Sequence, residues 1–405
     1  MKIAVTGAGG QVGSTLVRQM LRLHPAEPVA IFRNAVAAAP FQAMGCEVRV
    51  GSITEAQSCS KLLAGCQAVV NCALAAGAFR ESRSKNRAML RNFTLSDDIE
   101  YVVHLSSVAV YGDALIDSKF NTFDRPVPRQ NYGRDKLAIE KYAAKLFRAR
   151  GLEYAILRIG HVYGANMALS RQILYLAADT RFSLPFGGTQ PSNGVHVTHL
   201  ANSIIDLVLH PKPSGVYNVT DHPHRTLREL FDWHTGAAAL PAVPAMDDRL
   251  SRTLRAAHMK NHRRRLPGAL LRDIRGCKHS LDFGGLMNSP SMKELACRIL
   301  SIMPIQFENF VRRKHEQRAA RSSIASLVSD AYRLPVWLFS DGMPGSYLQL
   351  SSKSMPMDYQ KAALQLADWH KMYSHYQWYS RRPFACRNSD RVFSDSPYSQ
   401  PVTRT

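Results

Sequence analysis

The stretch Lys2-Ile3-Ala4-Val5-Thr6-Gly7-Ala8-Gly9-Gly10-Gln11-Val12-Gly13 decides the fold. Residues 2–6 form a short apolar run suited to a buried strand, and Val12, Leu16, Met20 and Leu23 recur at helical spacing. Between them, Gly7, Gly10 and Gly13 fall at a Gly-x-x-Gly-x-x-Gly spacing. The first glycine permits a tight turn, the second lets the backbone approach a pyrophosphate, and the third lets helix and sheet pack closely. Free N–H groups at the helix start, at Gln11, Val12 and Gly13, would then face the phosphates. A glycine triplet alone is weak evidence. The apolar run before it and the amphipathic segment after it make this a dinucleotide-binding turn.

Working outward, the pattern predicts strands at Val29–Phe32, Glu47–Val50, Ala68–Cys72, Tyr101–Leu105 and Tyr154–Leu157. Helices are predicted at Thr54–Leu63, with Thr54 as cap, near Asn86–Leu95, and at Asp135–Arg150. Short apolar runs alternating with helices predict right-handed crossovers and an α/β doubly wound parallel sheet. Beyond residue 160 come a helix at Ser170–Ala178, a strand at Gly194–Val197, a helix at Leu200–Leu209, a strand at Val216–Val219 and a capped helix at Thr226–Trp233. Ala237–Pro244 reads as a loop, and Ser291–Ile302 and Phe307–Val328 as helices. Tyr359–Met372 is a further helix, with Ala363, Leu364, Leu366 and Trp369 suited to pack inward. The expected organisation is a dinucleotide-binding domain over residues 1–160, joined again by segments near 195–235. A smaller, mainly helical C-terminal substrate lobe with a basic insertion would span 161–380, and a flexible tail 381–405.

The 405 residues are 45% hydrophobic and 20% charged, in keeping with a globular protein. No run approaches eighteen uninterrupted apolar residues, so no transmembrane segment is expected. The glycine-rich opening lacks the apolar core of a signal segment, which argues for a cytoplasmic protein. Seven cysteines, at 46, 59, 66, 72, 277, 297 and 386, are odd in number and lack a Cys-x-x-Cys pair. They read as buried small apolar residues rather than disulfides or zinc ligands. No cluster has metal-ligand spacing, and no metal is expected.

The net charge of +21 is lopsided: residues 251–405 hold 25 Lys and Arg against 11 Asp and Glu. His262-Arg263-Arg264-Arg265 and the stretch from Arg312 to Arg321 carry much of it. Such a field attracts anions. Without zinc spacing, an aromatic RNA-binding signature or a helix-turn-helix context, it does not point to nucleic acid. A solvated helix face is the default reading, and an anionic small-molecule substrate the next.

Two further features carry chemistry. Tyr132 and Lys136 stand four apart, on one face of a helix. A cation one turn away favours phenolate, so the phenol can exchange a proton with a carbonyl oxygen as hydride reaches or leaves the carbon. Lys136 could also hold the ribose hydroxyls of a nicotinamide cofactor. Ser107, at the end of the fifth predicted strand, can orient the substrate oxygen. The second strand ends in Arg33-Asn34, with no acid before Glu47. An arginine there can pair with a 2′-phosphate, which favours NADP(H) over NAD(H).

Together these residues resemble the extended short-chain dehydrogenase/reductase family, the group that includes NAD-dependent epimerases and dehydratases. Thr6–Gly13 is similar to its nucleotide turn, and His104-Leu105-Ser106-Ser107-Val108-Ala109-Val110-Tyr111-Gly112 to its catalytic-serine strand. Tyr132 and Lys136 take the places of its tyrosine and lysine. Arg158–Gly164, Val195–Ala201 and Val216–Val219 resemble later family segments. The resemblance covers roughly residues 1–235, with a fainter echo near Pro356–Trp369. It implies a Rossmann fold and catalysis by Ser107, Tyr132 and Lys136. Three residues near the implied substrate lobe, Arg158, His161 and His196, are weaker candidates for substrate contact; the blander reading is that Arg158 fixes the turn into that lobe and that the histidines pack or hydrogen-bond.

The departures matter. Gly51-Ser52 replaces the family's Gly-Asp, so the adenine contact would be weaker or fall to Ser52. His199 replaces the aspartate of the Val-x-Asp-Leu-Ala segment. Val108 and Ala109 stand where the 4,6-dehydratases carry an Asp-Glu pair, which argues against water elimination. A ketoreductase or dehydrogenase acting on a carbonyl or secondary alcohol needs the fewest coincidences. A nucleotide-sugar epimerase with retained NAD is the alternative, a non-catalytic cofactor-binding scaffold the third. A homodimer is a further expectation.

Overall fold

A computed structural model describes residues 1–24, 26–75, 79–112, 126–128, 131–180, 182–221, 225–263 and 359–374. Seven strands form one parallel sheet: β1 (Lys2–Thr6), β2 (Glu27–Phe32), β3 (Glu47–Val50), β4 (Ala68–Asn71), β5 (Tyr101–Ser107), β6 (Glu153–Ile159) and β9 (Gly215–Val219). Their order is β3-β2-β1-β4-β5-β6-β9. The chain builds outward from β1 to β3, then returns to place β4 on the other side of β1. A sheet that reverses in this way opens a crevice at the carboxyl ends of β1 and β4.

The strands are apolar on both sides because both sides are covered. Ile3, Val5, Val103 and Leu157 face α1 (Gln11–Leu23), α2 (Ala35–Ala43) and α7 (Val197–Leu209). Ala4, Val69, Val102 and Ile156 face α3 (Ala56–Leu63), α4 (Phe79–Phe93) and α5 (Asn131–Ala149). Each large side chain buried this way contributes roughly 1.5–3 kcal/mol before entropy is counted.

A smaller second core gathers Tyr163, Ile173, Phe182 and Leu184 with Leu227, Leu230, Phe231 and Val243. It is built by the two-stranded parallel sheet β7 (His161–Tyr163) and β8 (Gly194–His196), by α6 (Ala168–Ala178) and by α8 (Leu227–Ala237). α9 (Asp248–Arg263) and α10 (Tyr359–Ser374) complete the described elements. Leu366 of α10 packs on Leu174 of α6. Among the described residues no helix is long and apolar enough to cross a membrane.

Several expectations need correction. α2 and β7 are additional to the predicted elements, as is α9. α2 carries Pro40 and little polar contrast between its faces, so periodicity does not reveal it; Asn34 caps it, its Oδ1 accepting from Val36 N at 2.8 Å. Thr54 caps nothing: α3 starts at Ala56, and the Thr54 hydroxyl meets Ser52 Oγ at 2.9 Å. α5 starts at Asn131, four residues before the expected Asp135, and therefore includes Tyr132. Leu366 packs inward as expected, but Leu364 is 68% exposed and Ala362 joins the inward face in its place. Thr226 does cap α8, in a reciprocal box with Glu229. Cys46, Cys59 and Cys66 are buried free thiols. The helices expected at Ser291–Ile302 and Phe307–Val328, the basic stretch from Arg264 onward, the side chain of Trp369, the tail and the last three cysteines lie outside the described residues.

Candidate active site

The glycine turn joins β1 to α1. Gly7 takes φ +68°, a conformation that favours glycine. A Cβ on Gly7 would lie 2.7 Å from Ala73 N, and one on Gly13 2.3 Å from Gly7 O. The first turn of α1 has no acidic residue, and Gly10 caps it without a side chain. The amides of Gln11, Val12 and Gly13 stand where a helix supplies no partners of its own. Such a cradle suits a diphosphate. Gln11 also reaches across the crevice, Nε2 donating to Asn166 O at 2.8 Å.

At the end of β2, Phe32 lies against the turn, 3.4 Å from where a Cβ on Gly9 would sit, and Arg33 is exposed beside it. Ser52 follows β3 half-buried; its amide donates to Ser58 Oγ at 3.1 Å, and its hydroxyl is engaged with Thr54. The β2 and β3 ends thus bring Phe32, the exposed Arg33 and Ser52 to the same edge of the sheet.

β5 runs straight to Ser107, whose Oγ accepts from Ala109 N at 3.2 Å and so caps a 3-10 turn over Val108–Tyr111. α5 packs on that turn without slack: a Cβ on Gly133 would lie 2.1 Å from Ala109 O. This approach brings the start of α5 to the end of β5. There Lys136 is buried, at 7% exposure, with Nζ donating to Leu105 O at 3.0 Å. Its ammonium lies 5.9 Å from the centre of the Tyr132 ring, and Tyr132 is 49% exposed. The tyrosine is open to a ligand and the lysine is held beside it. Gly133 was present in the motif, but its role depends on a tertiary contact that spacing does not show.

Beneath Lys136 a polar row crosses the sheet. Thr6 Oγ1 donates to Asn71 Oδ1 at 2.7 Å, and Asn71 Nδ2 donates to His104 Nδ1 at 2.9 Å. Ala73 N also donates to Asn71 Oδ1, which fixes the amide orientation and leaves the His104 proton on Nε2. Burial, and then the Lys136 charge, hold His104 down at about 3, so it is neutral. Burial pushes the Cys72 thiol up to about 12 against the opposing effect of Lys136, so it is no nucleophile.

The three weaker candidates are placed elsewhere. Arg158 is buried and ion-paired with Glu140, and its Nη1 donates to Tyr111 Oη at 2.8 Å. Committed in this way, it does not stand open to an anionic substrate. His161 begins β7, its amide donating to Asn193 O at 2.8 Å, and burial lowers its ring to about 4. His196 is also lowered to about 4, first by burial. Its Nδ1 accepts from Thr198 N at 3.2 Å and its ring lies among Tyr163 and Trp233, so it caps α7 and fills the second core. His199, standing for the family's aspartate, meets Asp221 at 2.9 Å. Burial raises Asp221, but hydrogen bonds from His199, Tyr163 and the His196 amide outweigh it and hold the carboxyl below its ordinary value.

The profile of the NAD dependent epimerase/dehydratase family matches residues 3–219. A UDP-glucose 4-epimerase of Vibrio cholerae is 26% identical over 234 residues, covering 54% of this chain and 70% of that protein. Among solved structures, a UDP-glucuronic acid 4-epimerase from Bacillus cereus in complex with NAD is similar at 21% identity. Its TM-score is 0.49, with 61% of this chain and 87% of that chain covered. A dTDP-glucose 4,6-dehydratase from Streptomyces venezuelae with NAD bound is 22% identical, at TM-score 0.47 and coverage of 62% and 86%.

Proposed function

Because the chain belongs to the NAD dependent epimerase/dehydratase family, we propose that it is a nicotinamide-dependent oxidoreductase acting at a carbonyl or secondary-alcohol carbon. The observation that carries this reading is the buried Lys136 ammonium, anchored on Leu105 O and facing the exposed Tyr132 ring. A dinucleotide held at the glycine turn would supply or accept the hydride. The protein supplies the proton: Tyr132 gives it to the carbonyl oxygen in reduction and takes it from the hydroxyl in oxidation. Lys136, anchored on Leu105 O beside the Tyr132 ring, is placed to hold the ribose hydroxyls. Ser107 donates a hydrogen bond to the same oxygen and fixes the carbon for transfer. Gly7, Gly10, Gln11, Val12 and Gly13 hold the diphosphate, and Arg33 and Ser52 the adenosine end.

Arg33 favours NADP(H), and with it a ketoreductase that releases its cofactor after each turnover. The epimerase reading is supported by the Vibrio cholerae relative. In that case the same residues would work first in oxidation, then in reduction, on a retained cofactor. Val108 and Ala109, at the end of β5, carry no group able to eliminate water.

One assay separates the two. Purified protein is given NADPH or NADH with a panel of ketones, and separately UDP-glucose or UDP-galactose with NAD. Loss of reduced nicotinamide in proportion to alcohol formed supports the reductase. Interconversion of the sugars with no net change in nicotinamide assigns the epimerase instead. Arg33→Asp is expected to shift the NADPH-to-NADH preference by about tenfold toward NADH, the scale of one charge-assisted contact; an unchanged ratio removes Arg33 from cofactor choice.

A further inference from the structure

Behind Ser107 and Lys136 lies a buried ionic network that the proton chemistry does not use. Glu140 stands one helical turn after Lys136 on α5. Its Oε2 accepts from Ser106 Oγ at 3.0 Å and from Arg158 Nε at 3.2 Å, while its Oε1 accepts from Arg158 Nη2. Arg158 Nη1 donates to Tyr111 Oη, whose hydroxyl donates to Asn218 Oδ1 at 2.9 Å. All five side chains are buried.

Stability does not account for this arrangement. A dry ion pair loses much of its attraction to desolvation, and an apolar pair of similar volume often serves as well. What a two-pronged guanidinium–carboxylate contact supplies is fixed mutual orientation. The members are distributed accordingly. Ser106 immediately precedes Ser107, Tyr111 closes the 3-10 turn that Ser107 opens, and Glu140 lies beyond Lys136 on the same face. Arg158 and Asn218 stand opposite each other on β6 and β9.

We propose that Glu140 and Arg158 are positioning residues that hold the start of α5 in register with the end of β5, so that Tyr132, Lys136 and Ser107 converge on one reacting carbon. This rests on the acid/base reading given above. A displacement near 1 Å at such a site costs on the order of 100-fold in rate.

The test uses Glu140→Gln, Arg158→Lys and the milder Tyr111→Phe, with the double variant Glu140→Gln/Arg158→Met to avoid an unpaired buried charge. Three quantities are measured on the full chain: kcat and KM with the ketones and UDP-sugars named above, the NADPH dissociation constant, and amide hydrogen exchange by segment. For Glu140→Gln and Arg158→Lys, kcat is expected to fall at least about 30-fold while KM and cofactor affinity stay within about threefold. Exchange should quicken in residues 131–140 and 105–111 and stay unchanged in 2–23. Tyr111→Phe should show the same pattern with a smaller loss. Turnover kept within threefold, or exchange quickened equally in residues 2–23, overturns the proposal. If the wild-type protein turns over none of these substrates, the reaction reading fails by itself. The exchange pattern then decides alone: confined loosening upholds the positioning role, and uniform or absent loosening ends it.

Discussion

Two parts of the molecule bury ionisable groups, and they do so differently. Where α5 meets β5, the buried cation Lys136 is met by a backbone carbonyl, and among the described residues no carboxylate pairs with it. In the second core the rule is neutrality or pairing. His161 and His196 are lowered to about 4 and His234 to about 3, in each case mainly by burial, and Asp221 is surrounded by donors. A buried charge without an ionic partner is costly and marks a place where the charge is used. Buried neutral histidines with hydrogen bonds and aromatic neighbours are ordinary core material. The contrast supports the proposed role of the Tyr132–Lys136 pair and a packing role for the histidines of the second core.

The largest expected effect breaks the first half of that contrast. Tyr132→Phe should cut turnover at least ~100-fold, the range of positioned proton transfer, with the thermal midpoint nearly unchanged because the side chain is half exposed. Near-normal turnover would remove Tyr132 as the acid/base.

The next effect concerns acid. His104, His161, His196 and His234 have folded values of about 3 to 4 against an ordinary 6.5. Below about pH 6.5 the unfolded chain takes up protons that the folded one refuses. Stability is therefore full above 6.5 and is lost as pH falls toward 4. Urea titrations at pH 7, 6 and 5 should show at least one extra proton bound on unfolding below pH 6, about 1.4 kcal/mol per pH unit. A flat profile across that window would mean that these histidines are not held neutral.

Gly133→Ala should cost about 1–3 kcal/mol and depress activity further than its stability loss explains, since the added methyl collides with Ala109 O beside Ser107. Denaturant midpoints and kcat on the same preparation test this. Smallest is Ser170→Ala in the second core. The Ser170 hydroxyl bridges His234 Nε2 and Gly164 N at 2.8 Å each. Its loss should lower stability by about 1 kcal/mol and leave kcat within about twofold. A large loss of kcat in this variant would blur the division between the two regions.

Much of this was legible in the residues. The strand, glycine turn and first helix follow from spacing alone, because Gly7 takes a positive φ and Gly10 and Gly13 close on Gly7 O within the turn itself. Ser107, Tyr132 and Lys136 are recognisable because a helix turn and a strand end place them by local rules. What local rules miss is tertiary. α2 has too little contrast between its faces to declare itself, and β7 is three residues long. Gly133 owes its importance to Ala109, more than twenty residues away. Arg158 was open to two readings until Glu140 and Tyr111 appeared beside it, and His199 was only a departure from a pattern until Asp221 was found facing it.

The chain leaves the main sheet after β6, runs back along α7 to β9, and departs again after Val219. The second core is stitched from both departures, Tyr163 to Leu184 from one and Leu227 to Val243 from the other. Because β6 and β9 are direct neighbours, both roots are side by side at one corner of the sheet. Among the described residues, a lobe rooted at that corner can be remodelled while β3, β2, β1 and β4 keep their own frame, because its two chain connections enter and leave beside β6 and β9.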